Sequence, residues 1–268
     1  MAPKQHVTIH GTSIAYLDSG RPRPPIVLIH GNSSSTAAWS PQLEGPLAER
    51  WRLVALDLPG CGDSGRLAGY SLSTLSDRVV GLARELGCED AIFVGHSLGG
   101  HVLLEAAPQL ARARGFVIMG TPPLGKPPLM EQAFRPTPVL RSVFTAELSA
   151  EAVEAWARAL VAPTSEVPHQ IAADVRRTDP QFRSGLQVAL AELGYQDEVE
   201  IVSALTQPIA VLHGAADSLV NDAYLATIAM PTLWRGAVQT IEGAGHFAQL
   251  ERPEAFDALL EAFARDCS

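Results

Sequence analysis

Short apolar runs bounded by glycine, proline or polar residues recur along the chain, separated by longer stretches with apolar residues at helical spacing. Ile26-Val27-Leu28-Ile29-His30 is almost wholly apolar, and residues 52–57, 91–94, 115–119 and 208–213 share its character. A parallel strand covered on both faces needs such continuous apolarity, because neither side of its pleat meets water. Residues 6–9 and 13–17 flank Gly11-Thr12 and predict an antiparallel hairpin at a sheet edge. Residues 238–241 predict a last strand. Helical periodicity covers 72–86, 100–110 and 253–264, and a further helix is expected over 36–49, interrupted at Pro41. Strands alternating with helices imply a mainly parallel sheet with right-handed crossovers.

The alternation stops between Thr121 and Glu200. That stretch opens with Pro122, Pro123, Pro127, Pro128, Pro136 and Pro138, then turns helical, as over 150–160. It is too long for a simple connection and predicts a helical insertion over the carboxyl ends of the strands. The expected organisation is a core built from 1–120 and 201–268, with a helical cap or lid over 121–200. Such a lid carries Leu129, Met130, Phe134, Phe144 and Trp156 as candidate apolar contacts for a substrate.

Between the apolar run at 91–94 and the periodic stretch after it lies Gly95-His96-Ser97-Leu98-Gly99. A serine between two glycines at a strand-to-helix turn is a nucleophile elbow. The turn is so tight that side chains at 95 and 99 would meet the neighbouring strand and helix. It lifts the Ser97 hydroxyl above the sheet and leaves the Leu98 amide free at a helix N-terminus to donate to an anion. A serine hydroxyl needs a base within reach, and the base needs an acid to orient it. With this elbow the acid and then the histidine follow the serine along the chain. Of the eight histidines only His169, His213 and His246 lie beyond the elbow and its helix. His169 falls in the insertion and His213 ends a strand. His246 alone follows the last strand, in the glycine-rich Glu242-Gly243-Ala244-Gly245-His246, and is the candidate base. The strand ending at His213 is followed by Gly214-Ala215-Ala216-Asp217, which makes Asp217 the candidate acid. Asp222, expected to begin a helix and face solvent, is the runner-up. A second oxyanion donor is expected after His30, where Gly31 lets the backbone approach and Asn32 offers its amide. His30 itself is expected to order that loop. Ser33 and Phe247, next to the loop and the base, complete the candidate substrate contacts.

Composition narrows the function classes. At 268 residues, 47% hydrophobic and 18% charged, the chain has the make-up of a globular protein with a sizeable core. A net charge of -9 argues against nucleic acid and anionic membranes as partners. Residues 1–20 are polar and broken by Pro3 and Gly11, and no apolar run reaches membrane-spanning length, so a cytoplasmic protein is expected. Cys61, Cys88 and Cys267 are widely spaced, without a CxxC pair, and suggest neither a disulfide framework nor a zinc site.

Taken together, the His30-Gly31 turn, the Asp57–Ser64 segment, the elbow, the His213-Gly-x-x-Asp217 turn and Gly-x-Gly-His246 resemble the α/β-hydrolase superfamily over nearly the whole chain. That resemblance implies an α/β-hydrolase fold with an eight-stranded, mostly parallel sheet flanked by helices. It also implies a triad of Ser97, Asp217 and His246, and no cofactor or metal. The Asp57–Ser64 stretch is similar to a structural turn in relatives, so neither Asp57 nor Asp63 is given a catalytic role; Cys61 stands where relatives often carry histidine or a bulkier residue. The loop Asn32–Ser35 resembles that of some bacterial esterases and serine-dependent acyl-homoserine lactonases. The expected activity is cleavage of a carboxylic ester or lactone, with a neutral, largely apolar acyl group held by burial. An N-acyl-homoserine lactone is the narrower alternative. Carbon–carbon bond hydrolases and perhydrolases share the same residue set, and a non-catalytic ligand receptor is the reading outside catalysis. Serine in place of aspartate at the elbow argues against dehalogenases and epoxide hydrolases, and the HxHxDH cluster of metal-dependent lactonases is missing.

Overall fold

A computed structural model describes residues 3–21 and 24–267. Eight strands form one sheet: β1 (Gln5–Ile9), β2 (Thr12–Asp18), β3 (Pro25–Ile29), β4 (Arg52–Leu56), β5 (Ile92–His96), β6 (Gly115–Met119), β7 (Ile209–Gly214) and β8 (Gln239–Ile241). Their order is β1-β2-β4-β3-β5-β6-β7-β8. β1 and β2 form the expected antiparallel edge hairpin, β2 runs antiparallel to β4, and every other pairing is parallel. Ile29 therefore faces Gly95 and His96 faces Met119, so the loops leaving β3, β5, β6 and β7 gather along one edge of the sheet. Those loops carry Asn32, Ser97, Gly120 and Asp217.

The central strands alternate between two apolar layers, as a pleat of period two requires. Val27, Ile29, Phe93, Phe116 and Ile118 face one layer, and Ile26, Leu28, Ile92, Val94 and Val117 the other. Seven short or long helices belong to the sheet's connections: α1 (Ser40–Glu44), α2 (Pro46–Arg50), α3 (Leu72–Glu85) and α4 (Leu98–Ala106) before β6, and α11 (Asp222–Leu225), α12 (Ala248–Glu251) and α13 (Pro253–Asp266) after β7. α3 and α4 bury Leu75, Val79, Val102 and Leu103 in the first layer, and α13 buries Phe256, Leu260 and Phe263 in the second. The start of α3 is fixed by a capping box between Ser71 and Thr74. Between β6 and β7 lie six helices and no strand: α5 (Met130–Ala133), α6 (Pro138–Ser142), α7 (Ala150–Ala159), α8 (His169–Arg177), α9 (Pro180–Ala191) and α10 (Glu198–Ala204).

The helix expected over 36–49 is three pieces, not one interrupted at Pro41. A 3-10 turn, Thr36–Trp39, leads into α1, and the break falls at Gly45, which is extended at φ −92 and ψ −177. Pro41 sits in the first turn of α1, where its missing N–H has no intrahelical partner to lose, whereas Pro46 forces the residue before it out of the helical region. The elbow helix starts at Leu98 instead of Gly100 and gives way after Ala106 to a 3-10 turn through Pro108. Among the described residues no helix is long and apolar enough to cross a membrane.

Candidate active site

Ser97 is the N-cap of α4 and has φ 52 and ψ −121, a conformation that costs a non-glycine residue roughly 1–3 kcal/mol. Its surroundings over-determine that strain. A Cβ on Gly95 would strike the Gly99 carbonyl and lie 2.6 Å from the Gly100 backbone, and one on Gly99 would strike the Ile29 and His30 carbonyls. Gly100 is closed off in the same way by the Thr121 side chain. The Ser97 amide donates to the Met119 carbonyl at 2.8 Å, and the Thr121 hydroxyl donates to the Ser97 carbonyl at 2.8 Å. Leu98, as first residue of the helix, has an amide with no intrahelical acceptor.

His246 and Asp217 form a buried pair. Nδ1 of His246 donates to Oδ2 of Asp217 at 2.8 Å, and the two side chains are 2% and 0% exposed. Oδ1 of Asp217 accepts from the amides of Leu219 and Val220 at 2.8 and 3.2 Å. Burial alone would raise this carboxyl, but the histidine and the amide donors hold it below the usual carboxylate range. The pair lies against the end of β6, because a Cβ on Gly120 would meet the His246 ring at 2.9 Å. Thr121, the next residue, holds Ser97, so one dipeptide braces serine and histidine alike. The loop of His246 is also gripped by His96, whose Nε2–H donates to the His246 carbonyl at 2.9 Å with the rings 4.9 Å apart. Burial pushes the His96 ring well below the ordinary histidine range, so it serves as a neutral donor.

The loop after β3 closes the other side. A Cβ on Gly31 would come within 3.2 Å of the Ser97 Cβ and 3.0 Å of His96, so glycine permits the close approach expected there. His30 accepts from the Leu58 amide through Nε2 at 2.9 Å, which makes Nδ1 the protonated nitrogen that donates to the Gly31 carbonyl. It orders the loop, and burial lowers its pKa. The Asn32 side chain is engaged at both ends, donating to the Val143 carbonyl and accepting from Ser33. Asp57 accepts from the Thr36 and Asp63 amides and from Lys4, a structural turn as anticipated.

A family model described as the alpha/beta hydrolase family matches residues 26–259. The chain belongs to that family. This hydrolase is 31% identical to pimeloyl-[acyl-carrier protein] methyl ester esterase of Methylococcus capsulatus over 210 residues, which are 75% of this chain and 79% of the relative. It is also 31% identical to the N-acyl homoserine lactonase AidH, solved as a mutant with N-hexanoyl homoserine lactone, at a TM-score of 0.94 over 99% of this chain and 98% of the other. A thermophilic esterase from Thermogutta terrifontis shares the fold at 21% identity, with a TM-score of 0.80 over 99% of both chains.

In this hydrolase a cavity opens above Ser97, beneath the helices between β6 and β7. The space between its walls is about 750 Å³, including the part that merges with bulk solvent. Asn32, Ser97, Leu98, Met130, Phe134 and Phe144 line it. Ser33, Trp156 and Phe247 do not. Ser33 is 1% exposed, its hydroxyl donating to Asn32 while accepting from Arg183. Trp156 packs inside the insertion with Val153, Ile171 and Val175, and Phe247 joins that cluster with its ring tilted against His96, 4.8 Å between centroids. Leu129 points outward, 49% exposed. His169 begins α8, and Asp222 is exposed and pairs with Arg135 at 2.6 Å. Sequence reasoning missed the far wall, made by Leu186, Leu190 and Tyr195; the i, i+4 spacing of the two leucines in α9 was its only visible trace. It also missed His101, Thr121 and Arg183. Arg183 is buried, and donates to Ser33 at 2.9 Å and to the Thr145 and Ala146 carbonyls at 2.6 and 2.5 Å. Among the described residues no cluster of three or more His, Cys, Asp or Glu side chains is arranged to hold a metal.

Proposed function

We propose that this protein is a cofactor-independent serine hydrolase that cleaves a carboxylic ester or lactone through an acyl-enzyme on Ser97. The observation that carries this reading is the buried Asp217–His246 hydrogen bond, 2.8 Å, at the same end of the parallel sheet as a strained serine at a helix N-terminus. In the reaction the Ser97 hydroxyl attacks the substrate carbonyl as its proton passes to Nε2 of His246. Asp217 keeps Nδ1 protonated and stabilises the imidazolium. The Leu98 and Asn32 amides receive the oxyanion, and one such donor is typically worth about 3 kcal/mol. Collapse expels the alcohol, which takes the proton from His246; water then repeats the sequence to free the acid.

Residues 121–200 act as a cap that sets the acyl pocket. The wall of leucines, phenylalanines and Met130 suits a neutral, apolar acyl chain. A narrower reading, an N-acyl-homoserine lactone as substrate, is favoured by the likeness to AidH over nearly the whole chain. A fluorophosphonate probe tests the common mechanism: it should label the wild type and fail to label Ser97→Ala. Comparing p-nitrophenyl esters with N-hexanoyl homoserine lactone separates the two substrates. Absence of labelling, with no turnover of either, would refute the serine-hydrolase reading.

A further inference from the structure

Four polar side chains reach the wall of the cavity: Asn32, Ser97, His101 and Tyr195. Asn32 is engaged by Val143 and Ser33, and the Tyr195 hydroxyl donates to the Gly125 carbonyl at 2.8 Å. Ser97 is the nucleophile proposed above. His101 is what remains, and nothing in that mechanism uses it.

His101 lies one turn along α4 from Ser97, its amide donating to the Ser97 carbonyl at 3.3 Å. Nδ1 lies 2.8 and 3.0 Å from the two carboxylate oxygens of Glu198. Glu198 is fully buried, and one of its oxygens also accepts from the Leu124 amide at 2.8 Å. The carboxylate thus holds the ring in one orientation with Nδ1 protonated. Nε2, on the opposite side of the ring, has no partner among the described residues. Packing does not account for such a pair. A buried ion pair can often be replaced by apolar side chains of similar volume at no loss of stability, and most of this wall is apolar. A ring fixed from behind, with its front nitrogen unused, is built to receive a hydrogen-bonding group.

We propose that His101, oriented by Glu198, hydrogen-bonds an oxygen on the acyl chain, so that the preferred substrates carry a hydroxylated acyl group and not a plain alkanoyl one. This rests on the serine-hydrolase reading and sharpens its substrate. A hydroxyl suits the site in either protonation state of the ring: it donates to a neutral Nε2 and accepts from a protonated one. His101 follows Ser97 by one turn, its amide on the Ser97 carbonyl, so the oxygen it meets belongs to the first few carbons of the acyl group, of which the third is the position tested.

The test compares methyl octanoate with the two enantiomers of methyl 3-hydroxyoctanoate, following acid release by pH-stat. Wild-type kcat/KM for one hydroxy enantiomer should exceed that for methyl octanoate about tenfold. In His101→Phe the ratio should fall to about one, and His101→Gln, which keeps a hydrogen-bonding group, should retain part of the preference. The ratio is the readout, so a general loss of activity in a variant does not mimic the effect, and the wild-type comparison needs no variant. A wild-type ratio at or below one for both enantiomers, or a ratio that survives in His101→Phe, would overturn the proposal while leaving the hydrolase intact. No turnover of any of the three esters or of the lactone, with no labelling of Ser97, would overturn the hydrolase reading and this inference with it.

Discussion

Asp174 offers a quantitative test of how the insertion docks on the core. It lies on α8, is 5% exposed, and accepts from the Ser35 hydroxyl at 2.7 Å, at the end of the loop that carries Asn32. Burial pushes its carboxyl up from 3.8 to about 6, the Ser35 hydrogen bond opposes the rise, and nearby Asp57 adds to it. The folded state therefore binds this proton more tightly than the unfolded chain does. Its contribution to stability is complete below about pH 4 and is lost as pH rises through 6. At about 1.36 kcal/mol per pKa unit, ionising the buried carboxyl costs about 3 kcal/mol by pH 8 and roughly half of that at pH 5. Asp174→Asn keeps an acceptor for Ser35 and removes the charge. The variant should be more stable than wild type by about 3 kcal/mol at pH 8 and about 1.6 kcal/mol at pH 5. With an unfolding entropy near 2.1 cal/mol/K per residue, a chain of 268 residues gains about 5 °C in Tm at pH 8. Differential scanning calorimetry of both proteins at the two pH values gives the double difference, from which the other titrating groups cancel. A Tm gain that does not grow from pH 5 to pH 8, or a loss at pH 8, would refute the account of a carboxylate ionised at a cost inside the fold.

The site yields two more predictions. His246→Ala should lower kcat on an ester by several powers of ten while leaving Tm within a few degrees; near-wild-type turnover would dismiss it as the base. Arg183→Met should lower kcat about tenfold with little change in KM, because Ser33, and through it the Asn32 loop, loses its donor. A fall in Tm with kcat unchanged would show that the guanidinium only braces the insertion.

Much of the sheet was legible because its central strands are buried on both faces and are almost wholly apolar between turn signals. The register of Ile29 against Gly95 and the placing of the loops of Ser97, Asp217 and His246 at one end of the sheet follow from strand order and right-handed crossovers, and glycine spacing points to the elbow directly. Side chains working through other residues were not legible. His96 looks like part of the elbow motif, yet its task is to hold the His246 carbonyl, 150 positions away. Arg183 reads as an ordinary charge in an amphipathic helix until its three acceptors, from residues 33, 145 and 146, are seen around it. Trp156 and Phe247 illustrate the opposite error. Their size and apolarity suit a substrate pocket or a private core equally well, and only the docking of α7 and α8 decides between them.

The helices between β6 and β7 and their connections do more than roof the cavity, since the loops bearing Asn32, Asp217 and His246 are hydrogen-bonded to them. The His246 amide donates to the Leu160 carbonyl at 2.8 Å, just past α7. Ser35 is held by Asp174 on α8, Ser33 by Arg183 on α9, and Asn32 by the Val143 carbonyl after α6. The turn after Asp217 is tied in from the segment after α5, where the Arg135 amide donates to the Leu219 carbonyl at 2.8 Å and the Asn221 amide donates to the Ala133 carbonyl at 3.0 Å. Oxyanion donors and bases act through placement within a few tenths of an ångström, so their geometry is shared property of the core and the insertion. Substitutions that reshape the acyl cavity from α9 should therefore change kcat as well as KM, more so the nearer they lie to Arg183. On the proposed function, acyl preference and catalytic power are coupled by the hydrogen bonds that residues 121–200 make to the loops of Asn32, Asp217 and His246.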